Sequence, residues 1–457
     1  MTVSNGGGGG WLPSVATAAA LPATASPGNV CVTDDTLVAY VWTPSRWVPL
    51  ASSPPGGGGS GGSGGSGNAT LSLIDNAVTI NDAAHVDHSP HLFVMSNGDL
   101  VCVYLNGSNL GYRIKTSGAW GAFNVLNPAN MNASGGTPNG GPYARSYATR
   151  LSGYDDLLIL TSVDATDTTH YSDFWRMVYT PGSHTFTIGS YEEQDNGVNI
   201  ACGIDQSAQT TIHDNNNNPW GIATLRTAAN QFGRIDNYTV TLNNPLYVNN
   251  FSGTTIVTTF GHWENGPRCG VVVNKTGLDV IAYGCLNTGT VFICEHYTIQ
   301  IPPLTATTVE SPPAFAFNPT AITACWDGTN FVFIANEANS HIRVCTRTGS
   351  NVYTAWTNIV TDGGLAGEPV VCVRSNGDLL VLYETTTNYA NGEIWYICRV
   401  GGTWQTTPTL LVGGSNSGYH NVCCQYDDIN DTGRAHILVM TGSGSPYSLQ
   451  ETVATIP

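Results

Sequence analysis

The chain has 457 residues, with 15 Lys and Arg against 32 Asp and Glu, which gives a formal net charge of −17. Charged residues make up only 10% of it, compared with about 25% in an average domain. Because an acidic surface repels phosphate groups, neither nucleic-acid binding nor binding to anionic membranes is expected. No apolar run approaches the roughly 20 residues of a membrane-spanning helix.

Three short regions precede the main part of the chain. Residues 1–20 form a Gly/Ala-rich tail, and residues 21–52 form a compact apolar segment. Residues 53–68 read Ser-Pro-Pro followed by a Gly/Ser tract. A tract without apolar side chains buries nothing, so the sequence predicts a flexible linker there.

The 21–52 segment alternates apolar and polar residues as strands do, which predicts a small β-hairpin module. Its residues Gly28–Val32, Tyr40–Trp42 and Trp47–Val48 resemble the aromatic hairpin modules near the N-termini of bacteriophage tail-fibre and other virion structural proteins. Those modules read Gly-Asp-Val-x-Val, Tyr-Val-Trp and Trp-Val, so Asn29 and Cys31 depart from the usual Asp and Arg. A hairpin decorating any extracellular or particle-bound protein is the alternative.

This resemblance implies where the protein works and what it contacts. Residues 1–52 would anchor the chain to other virion or particle proteins. The protein would be assembled in the host cytoplasm and displayed on the virion surface, as a homo-oligomer or in many copies. A segment this small has a marginal core, which also favours docking or self-association.

A degenerate repeat begins after residue 69. The clearest copies are Ser96–Tyr104 followed by Trp120, and Ser375–Tyr383 followed by Trp404. Each reads as a tight Asn-Gly turn, an apolar strand and further short strands. Weaker copies bring the number of turns to seven, spaced by about 50–64 residues, which suits four-stranded propeller blades.

The spacing predicts an all-β fold in which residues 69–457 form a seven-bladed β-propeller, with six or eight blades as alternatives. The alternating segment 70–80 precedes the first repeat, whereas the last repeat lacks an outer strand. We expect the segment to supply that strand and so remove two open sheet edges.

The repeat resembles the sialidase-like, BNR-type propeller families, where an Asp/Asn-Gly turn and an apolar strand recur in each blade. This resemblance implies two enzymatic alternatives, a sialidase-like glycosidase and a polysaccharide lyase using His, Tyr and Arg. The Ser-x-Asp-x-Gly-x-Thr-Trp box is nowhere intact, and no motif brings three arginines together. No catalytic residue is therefore predicted.

Aromatic residues in polar segments, predicted to be exposed loops, are the candidate ligand contacts. Their faces can stack on sugar rings, and the scarcity of charge nearby favours a neutral glycan. Exposed aromatic residues also serve subunit contacts, which is the alternative. The candidates are Tyr171, Trp175, Trp220, Trp263 and Tyr389.

One segment has the residue types of a calcium loop. Asp428, Asn430 and Thr432 place oxygen ligands at alternate positions before Gly433, as at the start of such a loop. The downstream bidentate Glu is missing, and a simple β-turn uses the same residues. No other cofactor is expected.

The twelve cysteines lie mostly inside apolar runs, for example at 101–103 and 371–373. There a free thiol packs as a small apolar group, and a chain of this length needs no disulfide scaffold. Core thiols, formed in a reducing cytoplasm, are the simplest interpretation.

Three functions fit these patterns. The first is a virion or particle-surface fibre or decoration protein whose propeller binds a host-surface glycan. The second is a polysaccharide depolymerase on the same propeller, and the third is a purely structural subunit. A fold of this kind carries all three, so the fold alone does not separate them.

Overall fold

The computed structural model divides the chain into two compact units, Met1–Gly65 and Ser66–Pro457. Every regular element among the described residues is a β-strand, and none of those residues belongs to a helix long and apolar enough to cross a bilayer. The described residues are 29–32, 39–42, 47–49, 71–79, 90–107, 109–126, 143–150, 155, 157–163, 171–195, 199–202, 212–213, 219–220, 222–227, 233–241, 247–256, 269–273, 279–285, 292–298, 305–310, 312–314, 316, 319–337, 341–361, 365–385, 393–413, 419–427, 433–442 and 446–457.

The first unit contains three short antiparallel strands, β1 (Val30–Val32), β2 (Ala39–Trp42) and β3 (Trp47–Pro49). β2 lies in the middle and pairs with both neighbours. Alternating apolar residues and short connections therefore give the small β-meander that the sequence predicts for this segment.

Within the described ranges, the second unit contains seven sheets of four or five antiparallel strands and one two-stranded ribbon. Its strands up to the middle of the chain are β4 (Ser72–Val78), β5 (His91–Val94), β6 (Leu100–Asn106), β7 (Asn109–Thr116), β8 (Ala119–Trp120), β9 (Asn124–Val125), β10 (Tyr143–Arg150), β11 (Leu157–Val163), β12 (Tyr171–Thr180), β13 (Thr185–Asp195), β14 (Asn199–Cys202), β15 (Ile212–His213), β16 (Pro219–Trp220), β17 (Ile222–Thr227), β18 (Gly233–Thr241) and β19 (Tyr247–Ile256).

The remaining strands are β20 (Cys269–Val273), β21 (Asp279–Cys285), β22 (Phe292–Thr298), β23 (Thr305–Glu310), β24 (Pro319–Trp326), β25 (Phe331–Glu337), β26 (His341–Gly349), β27 (Val352–Tyr353), β28 (Thr357–Thr361), β29 (Leu365–Val373), β30 (Leu379–Thr385), β31 (Glu393–Val400), β32 (Thr403–Trp404), β33 (Thr409–Val412), β34 (Tyr419–Tyr426), β35 (Arg434–Thr441) and β36 (Tyr447–Thr455). Sheet 1 contains β5–β9, sheet 2 β10–β13, sheet 3 β14 and β17–β19, sheet 4 β20–β23, sheet 5 β24–β28, sheet 6 β29–β33, and sheet 7 β34–β36 with β4. The ribbon pairs β15 with β16.

Sheets 4, 5, 6, 7 and 1 meet in that order through their first strands. β20 contacts β24, β24 contacts β29, β29 contacts β34, and β34 contacts β5. The second strands β6 and β30 are buried at six successive positions, because a sheet packs against each of their faces. That is why these segments read as continuous apolar runs instead of alternating.

The core lies in the interfaces between successive sheets, which we call seams. Leu92 and Cys102 of sheet 1 pack with Leu438 and Met440 of sheet 7. The seam between sheets 5 and 6 is equally apolar and includes Val332, Ile334, Val371 and Leu379. Sheets 1, 5, 6 and 7 therefore each contribute both faces to the core.

The tight turns of the two clear repeats have the geometry that their sequence predicts. Gly98 N donates to Met95 O, and Met95 N to Asp99 O, both at 2.8 Å. Gly98 has a φ of 85° and Gly377, its equivalent, a φ of 90°. Side chains avoid this conformation, so glycine is required at both positions.

Sheet 7 takes its outer strand from the start of the second unit. β4 pairs with β36 through Cα partners such as Asp75 and Leu449. The prediction that residues 70–80 complete the last sheet is thus confirmed.

The cysteines agree with the prediction of core thiols. The eight cysteines whose side chains the structure describes are all free. Burial raises the pKa of Cys398 to about 12 and that of Cys423 to about 11, so these thiols carry little thiolate at neutral pH. These eight cysteines are Cys31, Cys102, Cys325, Cys345, Cys372, Cys398, Cys423 and Cys424.

Candidate functional site

The structure locates three of the five predicted aromatic contacts. Tyr171 and Trp175 lie in β12 and Trp220 lies in β16, so the prediction that they occupy loops was wrong. β12 pairs along its length with β13, and aromatic residues have a high β-propensity. Trp263 and Tyr389 lie outside the described residues. The glycan-binding role of all five stays a prediction.

The predicted calcium ligands Asp428, Asn430 and Thr432 also lie outside the described residues. Of the residues that flank them, Asp427 N donates to Arg434 O at 2.9 Å. Within the described part of the chain, no group of three or more His, Cys, Asp or Glu side chains is arranged to hold a metal ion. The calcium site stays a prediction.

The structure reveals a repeated arrangement that the sequence reading missed. In sheets 1, 5 and 6, a cation on the third strand stands opposite an aromatic residue on the fourth strand. Each cation also binds a carboxylate of the preceding sheet. The cation–aromatic pairs are Lys115–Trp120, Arg347–Tyr353 and Arg399–Trp404.

The seam between sheets 4 and 5 contains the most enclosed of these ion pairs. Arg347 donates from Nε and Nη2 to the two oxygens of Glu310, at 2.7 and 2.6 Å. The Tyr353 hydroxyl donates to the same carboxylate. The Arg347 and Glu310 side chains are only 6% and 0% exposed. A bidentate pair this enclosed holds the two sheets together.

The seam between sheets 5 and 6 has a related contact between a turn and a strand. Arg399 Nη2 donates to Asp327 Oδ2 at 2.6 Å and to Gly377 O at 3.1 Å. The other Asp327 oxygen accepts the backbone N–H groups of Thr329 and Asn330. Asp327 therefore organises its own turn and fixes it to sheet 6.

The seam between sheets 7 and 1 is more accessible. There Lys115 Nζ lies 2.5 Å from Glu451 Oε2, and His436 Nδ1 lies 3.0 Å from Glu451 Oε1. Lys115 also stands 5.9 Å from the centre of the Trp120 ring. The Lys115 and His436 side chains are 19% and 14% exposed, and Glu451 is 2% exposed. We call Lys115, Trp120, His436 and Glu451 the Glu451 cluster.

This cluster has unused hydrogen-bonding capacity. Trp120 Nε1 is buried and has no hydrogen-bond partner among the described residues, which is rare for a buried donor. Because His436 faces the carboxylate through Nδ1, its Nε2 remains as a second polar atom. A polar ligand entering this seam would meet donors, an aromatic ring and a buried charge together.

A second polar group lies in the same seam, which we call the Asp75 cluster. Tyr104 donates to Asp75 Oδ2 at 2.6 Å, and Arg113 Nη2 donates to the same oxygen at 2.9 Å. Arg113 Nε also donates to the Tyr104 oxygen at 2.9 Å. Arg113 and Lys115 are two residues apart on β7 and so share one face of the strand. Both cations of this face thus bind carboxylates of sheet 7.

A further polar group joins the first tight turn to sheet 2. Asp99 accepts hydrogen bonds from the Tyr179 hydroxyl and from Asn97 Nδ2, and its carboxylate lies 2.5 Å from His184 Nδ1. Burial raises the pKa of Asp99, but these hydrogen bonds outweigh burial and leave it below its ordinary value. His184 has a φ of 52°, an uncommon value for a residue other than glycine.

The pKa values of Glu310 and Glu451 are lowered as well. Burial raises the pKa of Glu310, but hydrogen bonds from Arg347 and Tyr353 lower it to below the ordinary value of 4.5. Burial likewise raises the pKa of Glu451, and hydrogen bonds from His436 and Lys115 more than offset that rise. Both groups are therefore ionised in the folded protein at neutral pH.

These lowered pKa values predict that the folded protein loses stability in acid. A carboxyl whose pKa is lowered by folding stabilises the protein above its unfolded pKa, and this contribution disappears as the pH falls through the folded pKa. The free energy of unfolding should therefore decline below about pH 4.5, the ordinary value for Glu. Thermal unfolding followed by circular dichroism between neutral pH and about pH 2 measures this decline.

The variant Glu310→Gln provides the control for this prediction, because it removes one of the titrating groups. Its stability should depend less steeply on pH in the acidic range than that of the parent chain. Equal slopes for the two proteins would show that Glu310 does not contribute to the acid transition.

The sequence did contain a signal for these clusters. Lys115 precedes Trp120 by five positions, and Arg399 precedes Trp404 by the same interval. In a strand, a turn and a returning strand, this interval places the cation opposite the aromatic residue. Comparing cations as well as turns between the repeats would have identified both pairs.

Comparison with protein-family models gives no match, and comparison with curated proteins gives none either. Solved structures do match. The BP39L lectin from Burkholderia pseudomallei is 10% identical, with a TM-score of 0.51 over 81% of this chain and 99% of the lectin. A protein of unknown function from Dyadobacter fermentans is 9% identical, with a TM-score of 0.43 over 85% of this chain and 99% of its own.

The Hadza microbial sialidase Hz136 is 12% identical, with a TM-score of 0.36 over 80% of this chain and 65% of the sialidase. These three structures carry no information on a bacteriophage or virion origin, which stays a prediction. At such low identity, a structural likeness indicates the fold alone. The chain therefore has an all-β, propeller-like fold of the kind that occurs in a lectin.

Proposed function

We propose that the chain is a glycan-binding surface protein of a virion or similar particle, built on a closed seven-bladed propeller. Residues 1–52 anchor it to particle proteins, residues 53–68 act as a linker, and residues 69–457 form the propeller. Support for the closed ring comes from the seven sheets of the described ranges and from the pairing of β4 with β36.

The Glu451 cluster is the observation that carries the binding proposal. It combines a partly exposed lysine and histidine, a buried carboxylate, and a tryptophan whose N–H group has no partner within the described part of the chain. Sugar hydroxyl groups both donate and accept hydrogen bonds, and therefore match such a mixed set. The likeness to the fold of a lectin gives independent support.

A particle that displays many copies does not need tight single sites. Several weak contacts made together raise the apparent affinity by about 10²–10⁴. This reasoning favours a host-surface glycan as the partner and a multicopy arrangement on the particle. Neutral glycans are the better candidates, because the net charge of −17 repels acidic ones.

A glycan array probed with the full-length chain tests this function. We expect binding to a subset of neutral glycans, and Trp120→Ala should weaken it about tenfold, the effect of losing 1.4 kcal/mol. Trp356→Ala is the matched control, because Trp356 Nε1 already donates to Pro313 O at 3.1 Å. Substituting Ala for each predicted aromatic contact and measuring binding on the same array tests those predictions too. The residues are Tyr171, Trp175, Trp220, Trp263 and Tyr389.

Two outcomes would contradict the proposal. Failure to bind any glycan, with extensive contacts to other particle subunits, would indicate a purely structural subunit. Release of unsaturated or shortened products from capsular or cell-wall polysaccharides would indicate a depolymerase.

A further inference from the structure

The backbone pairing of β4 with its sheet is short and irregular. β4 and β36 share four pairs of Cα partners, and the register shifts at two places among them. By contrast, the outer strand of sheet 2, β13, pairs with β12 at ten positions. The hydrogen-bond ladder of β4 therefore contributes less to its retention than the ladder of β13 contributes to its own.

Side chains hold β4 in place instead. Asp75 binds Tyr104 and Arg113 of sheet 1, while Ile74 and Val78 are buried between sheets 7 and 1. At the end of β4, Gly107 N donates to Thr79 O at 2.7 Å. These partners, together with β36, line the position that β4 occupies. We call it the β4 groove.

The partners of β4 in this groove lie at or beyond residue 92 of the chain. Residues 79–90 separate β4 from β5, and twelve residues span up to about 40 Å when extended. A Gly/Ser tract precedes β4 in the sequence. The β4 of a neighbouring copy can therefore reach the groove and make the same contacts there.

We propose that copies of this chain exchange β4, so that the groove of one copy is filled by β4 of a second copy. Such an exchange preserves every contact of the strand and adds no strain to the sheets, which makes it a low-cost route to oligomers. It is also strand addition to a sheet edge, a common mode of protein recognition. The inference does not depend on glycan binding.

A designed disulfide reports which copy supplies the strand. Leu73 and Gln450 are Cα partners across β4 and β36, and Leu73 is 52% exposed. In Leu73→Cys/Gln450→Cys, oxidation after refolding should give an intrachain bond when β4 is retained and a covalent dimer when β4 is exchanged. The ratio of dimer to monomer should rise in proportion to chain concentration, because the intrachain reaction competes at a fixed effective concentration.

The single variants Leu73→Cys and Gln450→Cys control for unrelated cross-links. An intrachain bond alone, at every concentration, would overturn the proposal.

A second experiment needs no new cysteines. Two full-length copies with different affinity tags are refolded together at high concentration. Purification through one tag should then also retain the copy that carries the other tag.

That capture should disappear in Val78→Asp, because a charge at a position that is 1% exposed excludes β4 from the groove of either copy. Absence of capture in the parent chain, or capture that persists in Val78→Asp, would overturn the proposal. Neither result concerns glycans, so strand exchange and the proposed function fail independently.

Discussion

Replacing Glu310 by Gln is expected to lower the free energy of unfolding by about 3–5 kcal/mol. The substitution leaves the Arg347 guanidinium in a seam where its side chain is almost fully enclosed, without the charge that balances it. An isolated buried charge is much less stable than one in water. Urea denaturation followed by tryptophan fluorescence measures the loss.

Glu337→Gln is the matched control in the same sheet. Glu337 also accepts two hydrogen bonds from one arginine, Arg343, at 2.7 and 2.6 Å. The side chains of Glu337 and Arg343 are 20% and 22% exposed, however. Water therefore solvates the Arg343 guanidinium when the Glu337 charge is removed. This change should lower stability by only about 0.2–1 kcal/mol. Similar losses for the two variants would show that enclosure of the Glu310 pair contributes little.

The double variant Glu310→Gln/Arg347→Met separates two explanations of the loss. If the unbalanced charge is its cause, removing the arginine as well should restore part of the stability. If the double variant instead loses as much free energy of unfolding as the two single variants lose together, packing of the two side chains is the cause.

The Glu310 pair also differs chemically from the Glu451 cluster, which the proposed function assigns to glycan binding. The Glu310 carboxylate receives three hydrogen bonds from enclosed partners. In the Glu451 cluster, a lysine ammonium replaces the bidentate guanidinium, and a histidine replaces the tyrosine hydroxyl. Lysine binds as a single point charge and retains spare donors, which suits exchange with a ligand.

The sequence predicted those parts of the fold that short-range chemistry determines. The Asn-Gly turns follow from the backbone freedom of Gly98 and Gly377. The apolar run that follows each turn gives a strand buried on both faces. The pairing of β4 was predictable as well, because an alternating segment without a partner remained at one end of the repeats.

The candidate site was not predictable in the same way. Lys115 and Glu451 are 336 positions apart in the chain, and they meet only because sheet 7 lies beside sheet 1. Strand periodicity gives the face on which Lys115 lies, but it does not identify the carboxylate opposite. The loop prediction for Tyr171 and Trp175 failed for a related reason, since polar neighbours in β12 concealed a strand that pairs on both sides.

Gly377→Ala should destabilise the protein clearly more than the equivalent change Gly98→Ala. Both glycines have a φ near 90°, so a side chain at either position is strained by about 1–2 kcal/mol. A Cβ at residue 98 would meet nothing within 4 Å, whereas a Cβ at residue 377 would lie 2.3 Å from Asp327 O. That clash adds about 1–3 kcal/mol, as overpacking does elsewhere.

The two glycines match in turn type and φ. The difference in the free energy of unfolding between the two variants therefore measures the effect of the close contact between sheets 5 and 6. Relief of the clash requires the turn at Asp327 to shift, which also weakens the hydrogen bond from Arg399. Urea denaturation of both variants measures the difference in the free energy of unfolding. Equal stabilities would mean that the Asp327 turn moves aside freely, and that the contact of Arg399 with Asp327 and Gly377 does not fix the seam between these sheets.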